Sequence, residues 1–135
     1  MEINYFSKKY PIIITPILFI SLDSFFTLYL QPEEYWYNYK NNIEWSPIFK
    51  AILEISPYAF LFTVLLYIII ITGLILILKK QISILLSFGL TTLHSNAMLI
   101  WLINKNIISY YDFILIIICI SFIIISCFLR INLNT

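Results

Sequence analysis

The chain has 135 residues, of which 61% are hydrophobic and 11% charged, and its mean hydropathy is +0.95. A soluble domain carries about 25% charged residues, and a chain this short cannot bury such an apolar excess in a water-soluble core. The eight basic and seven acidic residues nearly cancel, so these figures exclude a soluble domain, a disordered chain and a nucleic-acid-binding protein.

Four apolar stretches approach the length of about 20 residues that a helix needs to span a bilayer. They lie at residues 10–30, 58–78, 82–103 and 113–129. Only helices or closed barrels satisfy the backbone inside a bilayer, and these stretches are continuous rather than alternating. The sequence therefore predicts an all-α integral membrane protein, with one transmembrane four-helix bundle formed by residues 1–135.

The first stretch has features of both a signal peptide and a retained helix. Lys8 and Lys9 precede its apolar core, as in a signal peptide, but no small-x-small cleavage site follows and Asp23 interrupts the core. We therefore expect a retained first helix.

The segment between the first two helices is rich in aromatic residues, which favour the headgroup layer of a membrane. Ser46-Pro47 and Ser56-Pro57 each have the pattern of a helix N-cap followed by proline at the first helical position. Residues 47–55 between them are amphipathic, so we predict a short helix on the outer membrane surface there. Trp101, Tyr110 and Tyr111 lie near other predicted outer helix ends.

The distribution of lysine and arginine predicts the orientation, because cytoplasmic loops are enriched in positive charge. One side carries Lys8, Lys9, Lys79, Lys80 and Arg130. The other side carries fewer, namely Lys40, Lys50 and Lys105. Both termini are therefore predicted to be cytoplasmic in a multi-pass protein of the cell membrane.

Asp23 is the one charged residue inside a predicted span, and Thr27 follows it on the same helix face. A carboxylate in hydrocarbon costs at least about 2.5–3.5 kcal/mol, so Asp23 needs a partner or a place inside the bundle. The third helix carries a dense polar patch that includes Thr91, His94, Ser95 and Asn96. At 1.5 Å per residue, Asp23 and His94 both lie about 18–20 Å along parallel helices, which makes a hydrogen bond between them possible.

Two interpretations of this polar group remain open. Ser83, Ser87, Thr91 and Ser95 form a stripe of small residues of the kind that lets membrane helices approach closely, and His94 could simply add interhelical hydrogen bonds. The alternative is a functional site, since ionisable residues inside membranes often mark one. Its outer rim would then be acidic and aromatic, comprising Gln31, Glu34, Tyr35, Trp36 and Glu44.

The chemistry of such a site is not specified by a motif. A carboxylate with an imidazole can relay a proton, or can contribute to a metal site if Glu44 joins it. However, the sequence contains no HExxH, CxxC, phosphate-binding loop or GxSxG motif. We therefore assign no cofactor and no metal, and catalysis is disfavoured.

One combination of residues resembles a family of short bacterial four-helix membrane proteins with no assigned activity. The resemblance rests on Asp23-x-x-x-Thr27-Leu28, Gln31-Pro32-x-x-Tyr35-Trp36, Glu44-x-x-Pro47, and His94 with Trp101 seven residues on. Ser46 stands where that pattern has an asparagine, and Tyr37-Asn38 and Ser95-Asn96 stand where it has glycines. The resemblance implies a four-helix membrane fold and marks the same polar residues.

Three functions follow from these features. The first is an accessory membrane protein whose partners, besides the lipid bilayer, are another membrane protein or further copies of the chain. The second is an intramembrane binding or proton-linked site at Asp23 and His94, serving transport or a lipid-directed enzyme. The third is an immunity protein against a pore-forming toxin, a role that suits short four-helix proteins.

Overall fold

The computed structural model describes residues 3–107, 109, 112 and 116, with the backbone alone for residues 3–11. Within these residues the fold is all-α and contains no strand. Its elements are α1 (Ile3–Tyr29), α2 (Glu33–Tyr37), a 3-10 turn (Tyr39–Asn41), α3 (Pro47–Ile55), α4 (Pro57–Ile77) and α5 (Lys80–Asn104). Apart from residue 116, the predicted helix at 113–129 lies outside the described residues, as does Arg130.

Three of these helices, α1, α4 and α5, are long and apolar enough to cross a membrane. Their bounds lie close to the predicted spans, except that α1 begins at Ile3 rather than near residue 10. Hydropathy marks only the apolar part of a helix, and no glycine or proline interrupts residues 3–10. The surface helix predicted at 47–55 is α3, whereas the short α2 was not predicted.

Helices α1 and α5 run parallel and form the most extensive helix–helix interface among the described residues. All four small residues of the α5 stripe are buried. Ser87 donates a hydrogen bond from Oγ to the carbonyl oxygen of Ile12 at 2.6 Å. That carbonyl lacks its usual helical donor, because Pro16, four residues later, has no N–H. The Ser87 hydroxyl thus replaces a missing backbone hydrogen bond of α1.

The connection from α4 to α5 is held by a similar contact. Ser83 Oγ lies 2.8 Å from the carbonyl oxygen of Ile75 and 3.1 Å from that of Leu78, and its single O–H is shared between these two acceptors. Ile75 lies in the last turn of α4 and Leu78 is its C-cap residue, so both carbonyls lie where the regular helical ladder ends. Ser83 therefore caps α4 from α5, which fixes the antiparallel pair.

The two predicted N-caps behave differently. Ser56 Oγ accepts the N–H of Ala59 at 3.0 Å, as a capping serine does. Ser46 precedes the first residue of α3, but its side chain makes no capping hydrogen bond. Its backbone N–H instead donates to the Glu44 carboxylate at 2.8 Å. Ser46 thus occupies the predicted N-cap position before Pro47, although its side chain makes no capping hydrogen bond.

Helix α5 ends at a left-handed residue that reverses the chain. Asn106 has a φ of 54°, and Ile107 N–H donates to the Leu102 carbonyl at 2.9 Å. Together with the bond from Asn106 N–H to Ile103 O, this is a Schellman motif. Ser109 and Asp112 then exchange side-chain to backbone hydrogen bonds in the pattern of a capping box.

Candidate functional site

Asp23 on α1 and His94 on α5 are in contact between the helices. His94 Nδ1 lies 2.7 Å from Asp23 Oδ2. The His94 residue is 9% exposed and the Asp23 side chain 14% exposed. The Tyr67 ring on α4 lies beside the imidazole, with the ring centroids 5.8 Å apart and the planes inclined by 56°. Three long helices thus contribute to one polar cluster.

The roles of the two imidazole nitrogens follow from the ionisation state of Asp23. When its carboxylate is ionised it only accepts hydrogen bonds, so Nδ1 then carries the proton that Asp23 accepts. Nε2 is buried, and no described residue hydrogen-bonds to it. In the neutral imidazole this leaves Nε2 as a free acceptor. A buried polar atom without a partner costs about 1–3 kcal/mol, so a ligand that satisfies it gains that energy on binding.

A cavity of about 280 Å³ adjoins the pair. It lies between α1, α4 and α5, and the loop before α3 covers it on the side of α2 and α3. The polar residues of its wall are Asp23, Ser24, Thr27, Glu44, Ser46, Tyr67 and His94. Its apolar wall is formed by Ile20, Phe49, Phe60, Val64, Leu93, Ala97 and Trp101.

Gln31 holds the covering loop in place. Its Nε2 donates to the Thr27 carbonyl at 2.9 Å, which continues α1 beyond its last turn. Its Oε1 accepts the N–H of Ile43 at 3.1 Å. Asn42 adds a bond from its side-chain amide to the Tyr39 carbonyl at 3.1 Å. Both amide side chains are buried, and together they set the position of Glu44 above the cavity.

Glu44 brings a second carboxylate to the cavity. Burial raises its pKa above the ordinary glutamate value, and the negative charge of Asp23 adds to that rise. Hydrogen bonds from the backbone N–H groups of Ser46 and Trp45 act in the opposite direction. The net rise shows that these two bonds do not fully compensate for the lost hydration.

Only some residues of the predicted polar site line the cavity. Asp23, Thr27 and His94 line the cavity. Thr91 and Ser95 do not line it, because their hydroxyls donate to the Ser87 and Thr92 carbonyls of their own helix. Asn96 is half-buried and is also outside the lining. These three residues lie on other faces of α5.

The predicted rim is also divided. Glu44 lines the cavity and Gln31 positions it, but Glu34, Tyr35 and Trp36 do not line it. Tyr35 is fully buried, and its hydroxyl donates to the Leu53 carbonyl at 3.4 Å. Burial and the neighbouring Tyr39 raise the pKa of Tyr35 to about 12. Trp36 is half exposed and lines a separate groove between α1 and α4, while Glu34 is exposed.

Several lining residues were not assigned to the site from the sequence. Tyr67 and Phe60 lie on a helix that is apolar around its whole circumference, so no pattern indicates which face turns inward. Trp101 was assigned to the interfacial belt, yet it is 7% exposed and lines the cavity. The available signal was its spacing: Ala97 and Trp101 follow His94 at three and seven residues, on one helix face.

The cavity does not have the ligands of a metal site. Within the described residues, no group of three or more histidine, cysteine, aspartate or glutamate side chains could hold a metal ion. Nor does a hydroxyl or thiol of the described wall bond to His94 Nε2, as an activated nucleophile would. The arrangement is suited to accepting a hydrogen bond or a proton from a bound molecule.

Comparisons of the chain with protein-family models, curated proteins and solved structures find no match. The resemblance to the bacterial four-helix family therefore stays a prediction.

Proposed function

We propose that the chain is an integral protein of the cell membrane. The support is that α1, α4 and α5 contain apolar segments whose mean hydropathies are 1.8, 2.9 and 1.3, respectively. Their outward faces carry many exposed large apolar side chains, among them Leu65, Ile69 and Leu85. Contact with lipid chains would remove this surface from water.

The proposed orientation has both termini in the cytoplasm. Lys79 and Lys80 lie at the end of the bundle where α1 begins, whereas the cavity loop, α2 and α3 lie at the other end. The side that carries more lysine and arginine residues, which includes Lys79 and Lys80, then faces the cytoplasm, as the positive-inside rule requires. The cavity would lie toward the outer side.

Within this membrane protein we propose a binding site for a small molecule, centred on Asp23 and His94. The observation that carries it is the buried Nε2 of His94, which has no hydrogen-bond partner among the described residues although His94 lines a cavity. A purely structural histidine would use both nitrogens or turn the free one to water. The site would hold its ligand by hydrogen bonding and could take up its proton.

The accessory function has less support once the helix contacts are known. One of its sequence arguments, beside the absence of a catalytic motif and of a soluble domain, was the small-residue stripe. In the structure that stripe packs inside the chain, with Ser87 bound to Ile12 and Ser83 to Ile75. The stripe is therefore not free for a partner helix. The immunity function gains no observation from the structure.

Binding can be tested through Trp101, which lines the cavity. The chain has three tryptophans, and Trp36 and Trp45 are both substantially exposed. Replacing these two by phenylalanine makes Trp101 the only tryptophan. In lipid nanodiscs, four probe classes would be titrated: ammonium compounds, alcohols, carboxylates and phosphates. We expect saturable fluorescence changes with at least one class, and a loss of about tenfold or more in affinity in His94→Gln.

Two further variants separate a loss of binding from a loss of folding. Ala97→Leu narrows the cavity one turn from His94 without touching the hydrogen bond, so it should also weaken binding. Ser95→Ala is the matched control, because Ser95 is buried on α5 but bonds to Thr92 rather than lining the cavity. The proposal would be overturned if no probe class binds saturably. It would also be overturned if His94→Gln and Ala97→Leu both bind the probe with the affinity of the unmodified protein.

A further inference from the structure

We propose that the ligand of this cavity is a small organic cation that carries N–H groups, such as a primary ammonium ion. This inference rests on the proposed binding function and adds the chemical class of the ligand. It combines three properties of the cavity: its charge, its aromatic wall and the unpartnered nitrogen of His94.

The charge of the described wall is negative. Asp23 and Glu44 both line it, and no lysine or arginine does. If His94 is neutral, both carboxylates are without a compensating cation; if it is protonated, it compensates only Asp23. Burial of Glu44 without a cationic partner is costly, which is why its pKa is raised. A bound cation would supply the missing charge, whereas an anion would add a further negative charge.

The size and wall of the cavity favour an organic cation over a metal ion. A cavity of about 280 Å³ exceeds the space of a single ion, and the described residues offer no group of three metal ligands. Phe49, Phe60 and Trp101 present aromatic rings to the same space. Cations bind favourably over aromatic faces, and the effect grows when the site is dry.

The unpartnered nitrogen distinguishes between kinds of organic cation. His94 Nε2, held as an acceptor by the bond from Nδ1 to Asp23, needs a hydrogen donor. Nε2 is buried and Tyr67 packs beside the ring, so neighbouring side chains have to shift for a ligand to reach Nε2. An ammonium N–H can donate to Nε2 while its charge meets the carboxylates. A quaternary ammonium has no N–H and would leave Nε2 unpaired.

Three compounds of similar shape test these requirements: benzylammonium, benzyl alcohol and benzyltrimethylammonium. Calorimetry on the protein in nanodiscs would measure their affinities. His94 is the only histidine of the chain, so ¹⁵N-histidine labelling reports on its ring nitrogens without overlap. We expect benzylammonium to bind about tenfold or more tightly than the other two and to shift the Nε2 resonance.

Glu44→Gln removes one negative charge with little change in shape and should weaken benzylammonium binding about tenfold. Glu34→Gln is the matched control, since Glu34 is exposed and outside the cavity. Equal or tighter binding of benzyl alcohol or of benzyltrimethylammonium would overturn a cationic ligand that carries N–H groups, and so would unchanged affinity for benzylammonium in Glu44→Gln. If another class binds in a His94-dependent way, the binding function stands and this inference fails; if nothing binds, both fail.

Discussion

At the level of single residues, the sequence indicates the importance of Asp23 but not how its site is completed. A carboxylate in an apolar helix requires a hydrogen-bond donor, and His94 has the type and depth to supply it. Glu44, by contrast, reaches the cavity through loop hydrogen bonds made by Gln31 and Asn42. Such contacts depend on the three-dimensional path of a loop and have no sequence periodicity.

The stability of the fold is expected to show coupling between Asp23 and His94. Either single change, Asp23→Asn or His94→Gln, removes the charge-assisted hydrogen bond and leaves the other partner buried. The double variant should therefore be more stable than the sum of the two losses predicts, by about 1 kcal/mol. Unfolding in mixed detergent micelles measures this cycle. Additive losses would show that the two side chains do not depend on each other.

Glu44 is expected to make stability depend on pH. Because its pKa is raised in the folded state, the fold binds this proton more tightly than the unfolded chain. Ionisation of the buried Glu44 destabilises the fold. This destabilisation is absent at a pH below 4.5, the ordinary pKa of glutamate, and develops as the pH rises through the raised pKa of the folded state. Asp23, His94 and Tyr67 also face the cavity, so the comparison has to isolate Glu44.

The measurement is the difference in melting temperature between Glu44→Gln and the unmodified protein. This difference should grow in favour of Glu44→Gln as the pH rises above about 4.5. Glu34→Gln, on the exposed α2, should show no such trend. A difference that is constant with pH would contradict the effect of burial on Glu44.

At the level of elements, the long helices follow from hydropathy, but their contacts follow from small side chains and prolines. The stripe on α5 predicts a close helix partner without saying which helix it is. The structure assigns α1, because Pro16 leaves the Ile12 carbonyl without a donor and Ser87 supplies one. The inward face of α4 could not be predicted, because its residues are apolar on every side.

Ser87→Ala is expected to destabilise the α1–α5 interface by about 1 kcal/mol, since it leaves the Ile12 carbonyl unpaired. In a Pro16→Ala background the loss should be smaller, because the alanine N–H can bond to Ile12 within α1. Unfolding of the four proteins in this cycle tests the prediction. Ser95→Ala, whose hydroxyl bonds within α5, serves as the control. An equal loss in both backgrounds would exclude the compensating role of Ser87.

At the level of the whole molecule, the proposed orientation puts α2, α3 and the cavity loop outside the cell. Single cysteines in a Cys119→Ser, Cys127→Ser background can test it with a membrane-impermeant maleimide. Trp45→Cys, on the exposed loop, should react in intact cells. Gln81→Cys, near the start of α5, should react only after lysis. Reaction of Gln81→Cys in intact cells, with Trp45→Cys reacting only after lysis, would show the opposite topology.

The bond between Asp23 and His94 joins residues that are 71 positions apart in the chain. During synthesis α1 emerges first, so its carboxylate has no imidazole partner until α4 and α5 have followed. An unpaired aspartate costs about 2.5–3.5 kcal/mol at a helix centre, which delays stable insertion of α1. If the chain inserts into a membrane as proposed, we therefore expect the polar pair to form late in biogenesis, only after the residues up to His94 have been synthesised.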